Sequence, residues 1–344
     1  MHRPPRWDVQ DGPCAPLIPP LEIVAGPLGR VRSMMAAEFT GEVLSSPLRP
    51  LIDHVLGASG KMIRPGLVLV SGLGCGRLTE QHVLAAAIME MIHQATLLHD
   101  DVLDGADTRR GRPSPNHLWG NTAAVLLGDL VLSRVLRRCA DLRPEVARVV
   151  ADMACRVCRG ELGQTLQRAN WQISEQEYLD IIADKSASFF GACCTLGAIL
   201  ADAPAEQTEA MAAYGLNLGM AFQMTDDVLD LVADPDQTGK STGCDAAGGT
   251  LTLPVIHLLK VLDRSGRDDL VDRLGRAGDL LGWLRDLAVR HGSLDYARCR
   301  CQGYVDQALR SLETVGRSKA REALEALAHH VVQAGSDRER SPYV

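Results

Sequence analysis

Apolar positions recur along this chain at the i, i+3, i+4 spacing of amphipathic helices, and no stretch alternates apolar with polar residues between turn dipeptides. Helical periodicity begins near Leu28 and runs through Met34, Met35 and Phe39. A turn at Ser45-Ser46-Pro47 precedes a short helix over 48–56, and a glycine-flanked loop, Gly57 to Pro65, then presents Lys61 and Arg64. Apolar helix resumes at Gly66, breaks across the glycines at 72, 74 and 76, and restarts at Thr79, an N-cap residue with Glu80 and Gln81 in the first turn. The pattern predicts further helices over 78–104, 122–139, 144–167, 175–200 and 206–232, with a break at Ala203-Pro204. Residues 105–121 and 234–249 read as polar loops, helix returns from Leu251, and 259–334 alternates helix with charged turns. The predicted fold is all-α: a single large helical bundle over 26–335, with a flexible proline-rich arm at 1–25 and a flexible tail at 336–344.

One pentapeptide occurs twice. Asp100-Asp101-Val102-Leu103-Asp104 returns as Asp226-Asp227-Val228-Leu229-Asp230, each copy at the end of an apolar helical stretch. On a helix, Asp100 and Asp104 share a face, as do Asp226 and Asp230, while Asp101 and Asp227 lie about 100° round. Like charges at i,i+4 repel, so a chain that does this twice calls for cations. Hard oxygen ligands suit Mg²⁺, which keeps several waters and bridges to substrate phosphates. Two solvated acidic helix faces are the plain alternative, and the identical repetition beside basic and glycine-bearing segments argues against them.

Composition narrows the picture. The 344 residues are 46% hydrophobic but only 4% aromatic, which favours packed helices. A net charge of −7 argues against a nucleic-acid partner, although Arg109, Arg110 and Arg112 form a local basic group. Ten cysteines show no disulfide framework, and Cys155 and Cys158, a lone CxxC inside a helix, read as small buried residues. Neither a signal peptide nor an apolar run of spanning length is evident, so the expectation is a soluble, cytoplasmic protein without a transmembrane segment.

Taken in order, several motifs between Gly60 and Ile256 resemble those of the trans-prenyltransferases, the isoprenyl or polyprenyl diphosphate synthases. They are Gly60-Lys61-Met62-Ile63-Arg64-Pro65, Glu90-Met91-Ile92-His93, the first DDxxD, Asp107-Thr108-Arg109-Arg110-Gly111-Arg112-Pro113 and Trp119-Gly120-Asn121. Gly160-Glu161-Leu162-Gly163-Gln164, Lys185-Ser186-Ala187, Phe222-Gln223 before the second DDxxD, and Gly239-Lys240 with Gly243 and Asp245 follow. The resemblance implies a helical fold with a deep central cavity and the two acidic clusters facing each other at its mouth. It implies about three Mg²⁺ per site, with Asp100, Asp104 and Asp226 as principal ligands and Asp101, Asp227 and Asp230 in support. Arg109, Lys185 and Lys240 would grip an allylic diphosphate, with Ser186 and Gln223 beside them; Lys61, Arg64, His93 and Arg110 would hold isopentenyl diphosphate. The implied reaction is a Mg-dependent head-to-tail (1′-4) condensation in isoprenoid biosynthesis, with the departing diphosphate taking the lost proton, and the implied assembly is a homodimer.

One departure is visible. Where the family usually carries a lysine before Thr-Leu-Pro, this chain has Thr250, one cation fewer in the diphosphate grip. A second expectation concerns product length. Counting back from Asp100, Ala95 and Thr96 lie about one turn below the acidic cluster and Ile92 about two. Members of the family that stop early carry a bulky aromatic there; small Ala95 and Thr96 imply a long all-trans product, beyond about four isoprene units. The rival readings are a class I terpene cyclase, which would leave Lys61, Arg64 and His93 without a purpose, and a non-catalytic subunit of a heteromeric prenyltransferase, whose acidic motifs would be eroded.

Overall fold

The computed structural model describes residues 17–39, 48–57, 60–232, 248–275 and 280–340, with side chains to 332. The Ser45-Ser46-Pro47 turn, Lys240 and its flanking glycines, residues 1–16 and residues 341–344 lie outside the described residues. Helices dominate: α1 (Ala25–Ala37), α2 (Arg49–Leu56), α3 (Ile63–Cys75), α4 (Glu80–Leu103), α5 (Pro115–Trp119), α6 (Asn121–Cys139) and α7 (Pro144–Leu166). They continue as α8 (Glu175–Ile182), α9 (Ser188–Leu200), α10 (Ala205–Val232), α11 (Leu253–Val261), α12 (Arg264–Leu274), α13 (Leu281–Arg290), α14 (Ser293–Ser311) and α15 (Lys319–Arg340).

The core is layered around α10, which packs most extensively on α9 and α14; α9 leans on α3, α3 on α4, and α4 on α6. Helices so apolar on all sides belong in an interior, and the buried residues of α3, α4, α9 and α10 form one continuous cluster. The start of α4 is fixed by an unforeseen device. Thr79 N donates to Nδ1 of buried His82 at 3.0 Å, and the other ring nitrogen donates to the Gly197 carbonyl of α9 at 3.1 Å. One imidazole therefore caps one helix and pins it to another.

Three expectations change. The arm assigned to 1–25 is not loose over its last part: Pro19–Val24 forms a 3-10 turn with Leu21 and Val24 fully buried, because these side chains complete the core beside α3 and α15. The tail begins late, since α15 continues to Arg340. Cys155 and Cys158 are exposed on α7, so burial does not explain them. The polar loop after α4 also contains a small antiparallel hairpin, β1 (Thr108–Arg109) with β2 (Arg112–Pro113). Among the described residues no helix is long and apolar enough to cross a membrane.

Candidate active site

The first acidic cluster is the last turn of α4. Asp101 turns inward, is buried, and pairs with Nε of Arg109. The hairpin delivers that arginine: Arg110 and Gly111 at its tip have φ of 53° and 71°, the left-handed pair of a type I′ turn. Asn116 Nδ2 donates to the carbonyls of Asp101 at 3.1 Å and Ala106 at 3.0 Å, tying the hairpin to the helix end. Asp104 is exposed and accepts from Arg168 Nη2 at 3.2 Å. Burial, and then the charge of Glu161, push the Asp100 carboxyl up to about 7 against the pull of Lys185 and Arg109.

The second cluster ends α10. Buried Asp227 accepts from the Tyr178 hydroxyl at 2.6 Å and from Gln223 Nε2 at 2.8 Å, and Gln223 in turn accepts from Ser186 Oγ at 2.6 Å. Burial raises its carboxyl to about 6 in spite of both hydrogen bonds. Asp226 is exposed and Asp230 half-buried.

Between the clusters sits Lys185. The predicted helix over 175–200 is in fact α8 and α9 joined by a π turn, Ala183–Ala187, which carries this lysine. The turn is clamped to α7, where Asp184 accepts from Arg156 Nε at 2.9 Å and Arg159 Nε at 2.6 Å. Backbones approach so closely that a Cβ on Gly160 would lie 2.3 Å from the Lys185 nitrogen. Lys185 Nζ pairs with Glu161 at 2.7 Å and donates to Gln164 at 3.0 Å. Burial would lower its pKa, but Glu161, Asp100 and Asp104 outweigh that and hold it above the ordinary lysine value. Lys185 thus feels the first acidic cluster while lining, with Asp227 of the second, a cavity open to solvent whose walls include Gln164, Tyr178, Gln223 and Thr250.

A second group of cations lies beyond α10. Arg64 Nη1 donates to His93 Nε2 at 3.1 Å, and its guanidinium stands 5.0 Å and 5.1 Å from the ring centroids of Phe189 and Phe190. Its Nε is enclosed and has no hydrogen-bond partner among the described residues. Burial first, then Arg64 and Arg110, drive the His93 pKa well below the ordinary value, so the imidazole is neutral. Arg110 packs on Gly60, where a Cβ would lie 2.5 Å from its Nη2. Exposed Lys61 shares a largely apolar cavity, open to solvent, with Asp226, Phe190 and Phe222.

The structure therefore gathers Asp100, Asp101, Asp104, Arg109, Lys185, Ser186, Gln223 and Asp227 in one region, and Lys61, Arg64, His93 and Arg110 in an adjoining one, with Asp226 facing the second cavity. Ala95 is fully buried, Ile92 buried and Thr96 half-buried; none of the three lines either cavity described here. Sequence reasoning missed Tyr178, Glu161 as an ion-pair partner, Asp184 and Arg168. Glu161 and Gln164 were visible in a motif without a role; the tyrosine lies 49 residues from its partner and carried no local signal.

The donor set fits a hard divalent cation. All six candidate ligands are carboxylates, the hard oxygen donors that such a cation takes. Among the described residues no three of them converge on one point; Asp101, Asp104 and Asp227 are each engaged by a protein donor. Mg²⁺, which fills its coordination with water and phosphate oxygens, does not need a closed protein cage.

The family model for polyprenyl synthetase matches residues 45–279. The octaprenyl diphosphate synthase of Escherichia coli is 32% identical, over 91% of this chain and 97% of its own length. A short chain isoprenyl diphosphate synthase of Methanothermobacter thermautotrophicus is also 32% identical, over 86% of this chain and 93% of its own. Among solved structures, a decaprenyl diphosphate synthase from Rhodobacter capsulatus superposes with a TM-score of 0.86 at 32% identity, covering 92% of this chain and 98% of that one.

Proposed function

The chain belongs to the polyprenyl synthetase family, and on that footing we propose that it condenses isopentenyl diphosphate head-to-tail with an allylic diphosphate, in a Mg²⁺-dependent reaction, to give an all-trans polyprenyl diphosphate longer than about four isoprene units. The observation that carries the reading is the position of Lys185, held under the charges of Asp100 and Asp104 while it lines a cavity with Asp227. One substrate diphosphate at that point meets both acidic helix ends and two cations at once.

In this reading Asp100, Asp104 and Asp226 hold about three Mg²⁺, with Asp230 in support, and Asp101 and Asp227 are the members turned toward protein donors. Bound Mg²⁺ supplies charge neutralisation for the departing diphosphate. Lys185 and Arg109 bind the allylic diphosphate, and Lys240, outside the described residues, joins them. Ser186 and Gln223 orient the Asp227 carboxylate through their relay of hydrogen bonds. Arg64, neutral His93, Lys61 and Arg110 hold the isopentenyl diphosphate; the unsatisfied Arg64 Nε is one donor left for an oxygen there. The allylic C–O bond breaks with its electron pair leaving on diphosphate. The isopentenyl double bond attacks the cation to form the new C–C bond, and the departing diphosphate takes the proton. Phe189, Phe190 and Phe222 present apolar surface that keeps water from the cation.

A homodimer is part of the proposal. Leu126 and Leu136 on α6 and Leu162 and Leu166 on α7 are 61–83% exposed, large apolar side chains that a partner surface would cover. Incubation of the purified protein with isopentenyl diphosphate and geranyl, farnesyl or geranylgeranyl diphosphate, with Mg²⁺ or chelator, followed by sizing of the dephosphorylated products, tests the reading. Mg²⁺-dependent linear alcohols longer than C20 are expected. Cyclic hydrocarbon without isopentenyl consumption would replace elongation with cyclisation.

A further inference from the structure

Position 250 lines the first cavity with a neutral threonine, and Gln167, which lines it from a different part of the chain, is followed by a cation, Arg168. Past the end of α7 the backbone turns through Gln167, Arg168 and Ala169. Ala169 is left-handed at φ 58°, and its N–H donates to the carbonyl of Gly249, itself left-handed at φ 74°, at 2.8 Å. A Cβ on Gly249 would lie 3.2 Å from the Ala169 nitrogen, so the two turns meet with little slack. That one hydrogen bond places Arg168 and Thr250 on either side of the same junction. Gln167 and Thr250 both line the cavity that holds Lys185. From there the Arg168 guanidinium reaches Asp104 of the first acidic cluster at 3.2 Å.

We propose that Arg168 is a diphosphate-binding residue, supplying from the end of α7 the positive charge that position 250 lacks; the proposal rests on the prenyl-transfer reading above. The Arg168–Asp104 pair is exposed on both sides, and such pairs contribute little to stability. Asp104 therefore releases Arg168 easily when it turns to another cation, and the freed planar fork suits two diphosphate oxygens at once. Its backbone follows Gln167, which lines the cavity with Lys185, so the side chain is to swing from Asp104 toward that wall.

The test uses farnesyl thiolodiphosphate, whose bridging sulfur keeps it from ionising, and measures its affinity for the full chain by titration calorimetry with Mg²⁺ present. Steady-state KM values for farnesyl and isopentenyl diphosphates are measured alongside. Arg168→Gln is expected to weaken the analogue roughly 10- to 100-fold and raise the allylic KM likewise, as loss of a charge-assisted hydrogen bond does. The isopentenyl KM should stay where it was. Arg168→Lys should keep part of the affinity, and Thr250→Lys added to Arg168→Gln should restore it, because the charge returns across the Ala169–Gly249 junction. Analogue affinity within about twofold of the parent in Arg168→Gln, an equal rise in both KM values, or no restoration by Thr250→Lys overturns the proposal. A parent protein that binds the analogue but elongates nothing overturns the function reading alone, with the Arg168 affinities still deciding this one. A parent that does not bind the analogue overturns both.

Discussion

The same five residues, DDVLD, end α4 and α10 in different surroundings. In both copies the second aspartate is the buried one, Asp101 at 2% exposure and Asp227 at 5%. Asp101 is met by a charge, the Arg109 guanidinium, whereas Asp227 is met by neutral donors, the Tyr178 hydroxyl and the Gln223 amide. At the second position of the motif, one cluster thus has a counter-charge and the other has neutral donors. Below the clusters the contrast continues. One turn back from Asp100 lie Ala95 and Thr96; one turn back from Asp226 lies Phe222, its ring 5.1 Å from that of Phe190. An identical motif is therefore no guide to equal roles: its neighbours decide what meets its buried carboxylate and how much bulk stands one turn beneath it.

The comparison breaks most visibly at the first position of each motif. Asp100→Asn and Asp226→Asn each remove a candidate ligand oxygen, and each is expected to lower kcat by about 10²-fold or more with the fold intact. If Asp226→Asn leaves kcat within a few-fold of the parent while Asp100→Asn does not, the two ends do not share the metal work.

The second positions should differ in stability instead. Arg109→Gln leaves Asp101 buried without its counter-charge, an effect of about 3–5 kcal/mol when a buried pair is broken; the part-exposed Arg109 places this case at the lower end. Tyr178→Phe removes one of two donors to Asp227 and should cost about 1.5–3 kcal/mol. Urea unfolding of the two variants checks the order. Equal costs would mean that the charge on Arg109 matters no more than a hydroxyl.

Much of this comparison was legible beforehand, because helical periodicity and a repeated pentapeptide are local patterns. The ends of α4, α6, α7 and α10 fall within a residue or two of where the apolar spacing and Pro144 place them. What set the two clusters apart was not local. The π turn under Lys185 reads as unbroken helix, since one extra residue per turn leaves the apolar pattern of 175–200 almost unchanged. The Arg110-Gly111 turn was hidden in a loop rich in charge, and the left-handed arginine at its tip is an unusual choice for that position. Tyr178, Arg168 and His82 act on residues 49, 64 and 115 positions away, a relation that no spacing rule contains.

The contrast in bulk is tested by filling the side with the small residues. Ala95→Phe puts on α4 the bulk that Phe222 already gives α10, and a shorter product from the same starter is expected. Because Ala95 is fully buried, the substitution should also cost about 1–3 kcal/mol from overpacking, so product length is compared at a temperature where the variant is folded. An unchanged length distribution would mean that α4 does not form the wall.

The smallest effect lies at the far end of α4, where His82 anchors the helix that delivers Asp100. Burial, opposed by its hydrogen bond to the Gly197 carbonyl, holds the His82 pKa below 6.5, and Nδ1 must stay unprotonated to accept from Thr79. As pH falls through 6.5 the unfolded chain takes up a proton that the native imidazole still refuses, so the unfolded state binds more protons and stability declines. The decline continues until the lowered native pKa is passed. His82→Gln removes that titration and should flatten the fall in stability below pH 6.5, at a cost in stability at pH 8 where the parent ring is neutral in both states and makes both bonds. Urea midpoints of parent and variant across that range decide it. Parallel pH profiles would show that another group carries the acid limb, and that α4 is held at its start by packing alone.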